Sequence, residues 1–197
     1  MIQTPRLLLR PWRETDRAAN AAMLADPQVG YWLGATQTAE EANAGVDRAI
    51  AHLAAHGFGL LAIERKADGA FLGAAGLVTL REGHPLDPGV EIGWRLVRAA
   101  WGGGHASEAA RALLEDGFTR LGLEEIIAFT AHSNLRSQAV MERLGMERQA
   151  ARDFEHPSLA EDHPLRPHVV YSARRSTPAA GVSRSASSPT ISPGSRP

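Results

Sequence analysis

The apolar positions of this chain change period along its length, and each change marks an element. Arg6 to Trp12 carries Leu7, Leu8 and Leu9 in a short run that predicts a first strand, with Pro11 ending it or leaving it at an edge. Arg13 to Leu24 then reads as a helix, capped by Thr15 or Asp16 and stopped by Asp26-Pro27, with Tyr31 and Trp32 in an irregular segment. Thr38-Ala39-Glu40-Glu41 has capping-box spacing, and Val46, Ile50 and Leu53 recur at helical intervals, so a second helix runs to about His56 and ends at Gly57. Phe58 to Glu64 and Phe71 to Leu80 predict a hairpin around Lys66-Ala67-Asp68-Gly69, whose Asp-Gly pair favours a tight turn.

A polar loop, 81–88, leads to a clear alternation at Val90, Ile92, Trp94 and Leu96, which predicts a strand with Glu91 on its other face. Ala106, Ala110, Leu113, Leu114, Phe118 and Leu121 fall on one helical stripe that stops at Gly122, and Ile126 to Ala131 reads as a buried strand. Ser133 or Asn134 caps a further helix carrying Val140, Met141 and Leu144, closed by Gly145. Pro157, Pro164 and Pro167 make the next stretch a loop before a last strand at Val169-Val170-Tyr171.

Between the Glu91 strand and the following helix lies Trp101-Gly102-Gly103-Gly104-His105-Ala106-Ser107-Glu108. Glycines let a backbone turn sharply, and the first N–H groups of a helix lack intrahelical partners, so this junction reads as an anion site for a pyrophosphate. A turn that only reverses the chain is the competing reading. No Gly-Lys-Ser/Thr follows, and neither the spacing nor the acidic partner of a dinucleotide fingerprint is present, which disfavours nucleoside triphosphates and NAD.

Composition narrows the class. A chain of 197 residues with 44% hydrophobic content suits one domain, here 1–175, followed by a Ser/Pro/Arg-rich tail, 176–197, expected to be disordered. Lys+Arg 21 against Asp+Glu 22 gives a net charge of -1, which supplies no global field for nucleic acid or an anionic membrane. The absence of cysteine excludes disulfides, thiolate ligands and a cysteine nucleophile. With no apolar leader or membrane-length run, a soluble cytoplasmic protein is the expectation.

The linked order of the Glu91 strand, Trp101-Gly-Gly-Gly-His-Ala106, helix, strand, Asn134-x-x-Ser137 and Leu144-Gly145-Met146 resembles the GNAT N-acetyltransferases, most of all their ribosomal-protein N-terminal acetyltransferase branch. Thr4-Pro5-Arg6-Leu7-Leu8-Leu9-Arg10 and Met146-Glu147-Arg148 also look like that branch, so the similarity spans roughly residues 3 to 174. Trp101, Gly104 and Ala106 occupy the three defined positions of the family's pyrophosphate loop, Trp101 departing from its Arg/Gln. The resemblance implies an α/β (α+β) fold with a mixed, splayed central sheet of about six or seven strands and about four helices. It implies acetyl-CoA as co-substrate, entering where two strands diverge. Its pantetheine would lie along Trp94, Arg95 and Leu96, its pyrophosphate on Trp101, Gly102, Gly103, Gly104, His105, Ala106 and Ser107, and its sulfur end near Asn134 and Ser137. Family members are often dimers, which makes a homodimer admissible.

Acetyl transfer needs an amine with a free lone pair, polarisation of the thioester carbonyl and a proton for the leaving sulfur. Many relatives place a tyrosine seven residues after the asparagine as the acid; here Met141 stands there and cannot donate. Ser137, which matches the serine proposed in the resembling branch, is the candidate acid, or else a hydroxyl that serves the first turn of its helix. Glu91 is the candidate base, through a water, or else a solvated strand carboxylate. Asp153, Glu155, His156, His163 and His168 form a second titratable group expected near the acceptor mouth. Their proline-broken spacing matches no zinc motif, so no metal is expected. The expected acceptor is a protein N-terminal α-amine, with a small-molecule amine such as an antibiotic or polyamine, or an idle acyl-CoA-binding module, as alternatives.

Overall fold

The computed structural model describes residues 1–175; the tail expected over 176–197 and its boundary lie outside the described residues. The chain runs β1 (Ile2–Gln3), β2 (Leu7–Arg10), α1 (Asp16–Ala25), α2 (Pro27–Tyr31), α3 (Ala39–His56), β3 (Leu60–Arg65), β4 (Phe71–Thr79), β5 (Val90–Leu96), α4 (His105–Thr119), β6 (Glu125–Ala131), α5 (Leu135–Arg143), β7 (Glu147–Arg148), β8 (Phe154–Glu155) and β9 (Pro167–Arg174). One nine-stranded sheet has the order β1-β2-β3-β4-β5-β6-β9-β7, with β8 also on β9. Every pairing is antiparallel except β5 with β6.

The extra strands beyond the expected six or seven are β1, β7 and β8, each two residues long and too short to show a period. The extra helix is α2. Asp26-Pro27 was expected only as a stop, yet Asp26 accepts the Gln28 N–H and Pro27, which needs no N–H partner at the first helical position, starts a new turn. Tyr31 therefore ends a helix, edge-on to Trp32 with ring centroids 4.9 Å apart. The α3 start has the full capping box between Thr38 and Glu41, and Gly57 closes it at φ 72.

Strand alternation sorts side chains to two faces. Leu61, Ile63, Ala75, Leu77, Ile92 and Leu96 pack with Ala109, Ala110, Leu113 and Leu114 of α4 in the main core. Each such leucine removed from water contributes about 1.5–3 kcal/mol. On the opposite face Ala62 and Ala74 meet Val46 and Ala49 of α3 together with Trp12. No helix among the described residues is long and apolar enough to cross a membrane.

Under α1 lies a buried ion cluster that the pattern alone does not announce. Asp16 accepts from Arg10 Nη1 at 2.7 Å, Arg10 Nη2 at 2.8 Å and the Arg13 N–H at 2.7 Å, while Arg10 Nε reaches Glu64 at 2.6 Å. Burial alone would raise the Asp16 carboxyl, but the Arg10 and Arg13 hydrogen bonds hold it below its ordinary range. Asp16→Asn leaves Arg10 buried with a broken pair and is expected to cost about 3–5 kcal/mol, read as a lowered midpoint in urea. Because the folded pKa is depressed, the wild-type increment is present above the unfolded value near 3.9 and disappears as pH falls through the folded one. The midpoint difference between wild type and variant should shrink correspondingly in acid.

Candidate active site

The parallel pair β5/β6 creates the site. Its two strands are in register only at Glu91 and Ile127, so they diverge beyond Glu91 and leave the remainder of β5 without a neighbour on that side. Val97 N–H donates to Leu72 O and Leu80 N–H to Gly89 O, which fixes the alternation along β5. Residues 91, 93 and 95 direct their backbone groups to β4, while Trp94 and Leu96 direct theirs into the split. Since the strands are parallel, both C-terminal ends and both following helix N-termini lie at the same end of the sheet.

The first of these N-termini carries the glycine loop. Gly102 and Gly104 both adopt φ +76, a conformation that side chains disfavour, and Gly104 caps α4 without a side-chain hydrogen bond. The first intrahelical bond runs from Glu108 N–H to Gly104 O. Among the described residues no acceptor meets the N–H groups of Gly102 through Ser107. Glu108, whose charge would oppose an anion there, is engaged by Thr4 Oγ1 at 2.6 Å and by Arg6 Nε at 2.6 Å. Arg6 Nη1 also reaches Gly103 O at 2.9 Å, and Arg143 Nη1 donates to Ser107 Oγ at 3.1 Å. A row of unpaired amides flanked by Arg6 and Arg143 fits a pyrophosphate. Arg143, at the far end of α5, is invisible to a reading of the loop itself.

Trp101 takes an unexpected position. Its Nε1 donates to Leu96 O at 2.9 Å, and the Arg136 guanidinium lies 5.1 Å from its ring centroid. The indole thus uses one lone pair of the β5 carbonyl that faces the split, leaving the Trp94 and Leu96 N–H groups open. His105 is turned inward, its Nδ1 3.1 Å from Ala100 O.

The second N-terminus carries Asn134 and Ser137. Buried Asn134 accepts the Ser137 N–H at 3.3 Å, donates to Thr130 Oγ1 at 3.0 Å and donates to Ser137 Oγ at 3.2 Å. Asn134 therefore performs the cap, and the Ser137 hydroxyl, as an acceptor from Asn134, keeps its own proton to give. Met141 is buried in the main core. Tyr171, a phenol close to the same helix, donates to Glu142 at 3.4 Å, in the last turn of α5 and not the first, where Asn134 and Ser137 lie, and burial pushes its pKa up.

Glu91 lies on the α3 side of the sheet. Its Cα partner is Val78, on the same side as Ala74, the partner of Arg95. Burial pushes its carboxyl up to about 7, with Arg95 pulling the other way. Gly93 lies between the two, and a Cβ there would stand in ordinary contact with Glu91 Oε1 at 3.6 Å, which places the carboxyl over Gly93.

The second titratable group comes together only in part. Asp153 is taken by Arg148 and the Val170 N–H, Glu155 pairs with Arg166 at 3.4 Å, and His163 Nδ1 accepts from Leu165 within its own turn. Local ion pairs and a turn hold these three side chains apart from the other two. His156 and His168 do meet, with ring centroids 4.8 Å apart, and Phe154 and Phe129 join them to His84 from the polar loop. Burial lowers the pKa of all three histidines, so they pack as neutral aromatic rings. Among the described residues no group of His, Asp or Glu is arranged to hold a metal. His84 gave no sequence signal because only tertiary pairing brings its loop to β8 and β9.

A split parallel pair with a glycine-cradled helix start makes a site for an anionic ligand, and sequence comparison gives the family. The acetyltransferase (GNAT) domain model matches residues 6–147, and the chain belongs to the GNAT acetyltransferase family. The uncharacterized protein YkkB of Bacillus subtilis is 31% identical over 147 residues, covering 74% of this chain and 84% of that protein. The acetyltransferase of Agrobacterium tumefaciens superimposes with a TM-score of 0.71 at 28% identity, covering 88% of this chain and 94% of that one. RimL, a ribosomal α-N-protein acetyltransferase solved with coenzyme A, shares the fold with a TM-score of 0.69 at 17% identity over 87% of this chain and 95% of that one.

Proposed function

We propose that this acetyltransferase moves the acetyl group of acetyl-CoA to the α-amino group of a protein N-terminus. Acetyl-CoA supplies the acetyl thioester, and the chain supplies the rest. The amides of Gly102 through Ser107 bind the pyrophosphate, and the open Leu96 N–H faces negative charge developing on the acetyl oxygen. Glu91 accepts the amine proton through a water, and Ser137 Oγ–H gives a proton to the leaving sulfur and regains one from solvent.

The observation that carries the acceptor class is the Glu91 carboxyl at about 7. Proton transfer to such a base from an α-ammonium group of pKa 7.7–8.0 is uphill by about 1–1.4 kcal/mol, against about 4.6 for a lysine near 10.4. The site is therefore matched to N-termini. The likeness to RimL is one of fold and agrees with this reading without identifying the acceptor.

A thiol-release assay over N-terminal peptides, lysine side-chain peptides, aminoglycosides and polyamines tests it. Peptides with a free α-amine are expected to be turned over at least about 10-fold faster than lysine peptides. Ser137→Ala should lower kcat while leaving acetyl-CoA affinity unchanged. Turnover confined to small amines would replace the acceptor, and acetyl-CoA binding without turnover of any amine would leave a binding module.

A further inference from the structure

Resting on the N-terminal reading above, we infer that the acceptor carries a carboxylate beside its reactive amine, an Asp or Glu in the first two positions of the N-terminus, held by the guanidinium groups of Arg95 and Arg48. Arg95 and Glu91 project from β5 on one face, because their Cα partners Ala74 and Val78 alternate with Ala75 and Leu77, which pack on the α4 side. Val46 and Ala49 of α3 cover Ala74 on that face. Arg48 lies on the exposed flank of α3, its Nη2 3.7 Å from the place a Cβ on Gly45 would take, one turn before His52, whose Nε2 accepts the Thr79 N–H at the end of β4. The helix thus runs along β4 from the Ala74 contact to Thr79, over the face of the sheet that carries Glu91 and Arg95.

The charges there do not balance within the described chain. Arg95 Nε is buried with no hydrogen-bond partner, and neither Arg95 nor Arg48 has an ion-pair partner among the described residues. Elsewhere the same surface saturates its arginines: Arg10, Arg13 and Arg17 each meet a carboxylate within 3.0 Å. Burial first, and then the positive charge of Arg48, lower Arg95 from its ordinary value. Glu91 offsets them only in part, being about half ionised at pH 7.

A bare ammonium approaching two guanidiniums is repelled, so an acceptor that brings only positive charge fits poorly. A carboxylate three or more bonds from the amine, as in an Asp or Glu at the first or second position, reverses this. It supplies the acceptor that the buried Nε lacks, and the planar fork of a guanidinium suits it bidentately. Arg95 stands on the sheet face that α3 covers and Arg48 on α3 itself, whereas the glycine loop lies beyond the β5 terminus, so they are separate from the pyrophosphate cradle.

Binding can be read without turnover by using N-acetylated peptides, which carry the acceptor's side chain but no amine. Calorimetry on the protein with coenzyme A bound should show N-acetyl-Asp and N-acetyl-Glu peptides binding about 10–100-fold more tightly than their Asn and Gln counterparts. Arg48→Gln, on an exposed helix face, should erase most of that preference, and Arg48→Glu should invert it toward Lys-bearing peptides. Arg95→Gln should do the same where circular dichroism shows it folded. With free peptides the preference should fall in KM rather than kcat. Equal affinity of wild type for acidic and amide peptides overturns the inference even if N-termini are acetylated. Discrimination without acetylation of any peptide sustains the carboxylate subsite and removes the N-terminal reading.

Discussion

Glu91→Gln is expected to lower kcat/KM by about 10²–10³-fold while acetyl-CoA affinity stays within about twofold of wild type, since a positioned base contributes to the transition state and not to cofactor binding. The pH profile separates this from a packing defect. Below its pKa of about 7 the Glu91 carboxyl holds its proton and accepts none, so wild-type kcat/KM should rise through pH 7 and again as the α-amine itself deprotonates near 7.7–8.0. The variant should keep only the upper limb. Stability should move oppositely. Burial raises the folded-state carboxyl above its ordinary 4.5, so the folded protein binds more protons than the unfolded chain between about 4.5 and 7 and loses stability as pH rises through that window. Gln carries no charge to desolvate, so the variant should melt higher than wild type at pH 8. Loss of activity together with loss of stability would instead make Glu91 a structural carboxylate.

Local chemistry was legible in the sequence wherever a few neighbouring residues decide the outcome. Thr38 and Glu41 cap α3 reciprocally, Asp68-Gly69 turns the β3/β4 hairpin, and Asn134 starts α5, each through hydrogen bonds within a handful of positions. The strand alternation from Val90 to Leu96 also put Glu91 opposite Ile92 correctly, because burial on the α4 face is what writes that period. The linked motifs from the Glu91 strand to Leu144-Gly145-Met146 were enough to suggest the family, and that resemblance implied the mixed sheet.

What stayed hidden depends on pairing over long separations. The split of β5 from β6 is a fact about register at Glu91 and Ile127, and no period within either strand reports it. Arg10 reads as a strand end, but its guanidinium is closed by Asp16 and Glu64 from two other elements. Trp101 sits at a cofactor-motif position, yet its indole N–H is engaged by Leu96 O, a contact set by the turn at 98–100. Arg48 and Arg95 are 47 positions apart, and the charge of one reaches the other only because α3 packs over β4. The histidines fared the same way: sequence proximity grouped Asp153, Glu155 and His163 with His156 and His168, while the fold replaced the first three with His84.

Gly104→Val is expected to weaken acetyl-CoA binding by at least about 100-fold, the loss of one or two hydrogen bonds to a charged phosphate. Gly104 caps α4 at φ +76, where a β-branched residue is strained by about 1–3 kcal/mol. The added Cβ would stand in contact with Arg6 Nη2 at 3.4 Å, beside the side chain that holds Glu108 and the Gly103 carbonyl. Relief of the strain turns the following peptide planes, and the amides of His105, Ala106 and Ser107 lose their common direction. Strain alone is controlled by Gly122→Val. Gly122 has nearly the same conformation, φ +68, with no atom within 4 Å of an added Cβ, and it lies at the opposite end of α4. The two variants should lose comparable stability in urea, but only Gly104→Val should lose acetyl-CoA in a calorimetric titration. Equal retention of acetyl-CoA by both would leave the glycine loop as a chain reversal and move the pyrophosphate elsewhere. Equal loss by both would attribute the effect to the stability of α4 rather than to the direction of its first amides.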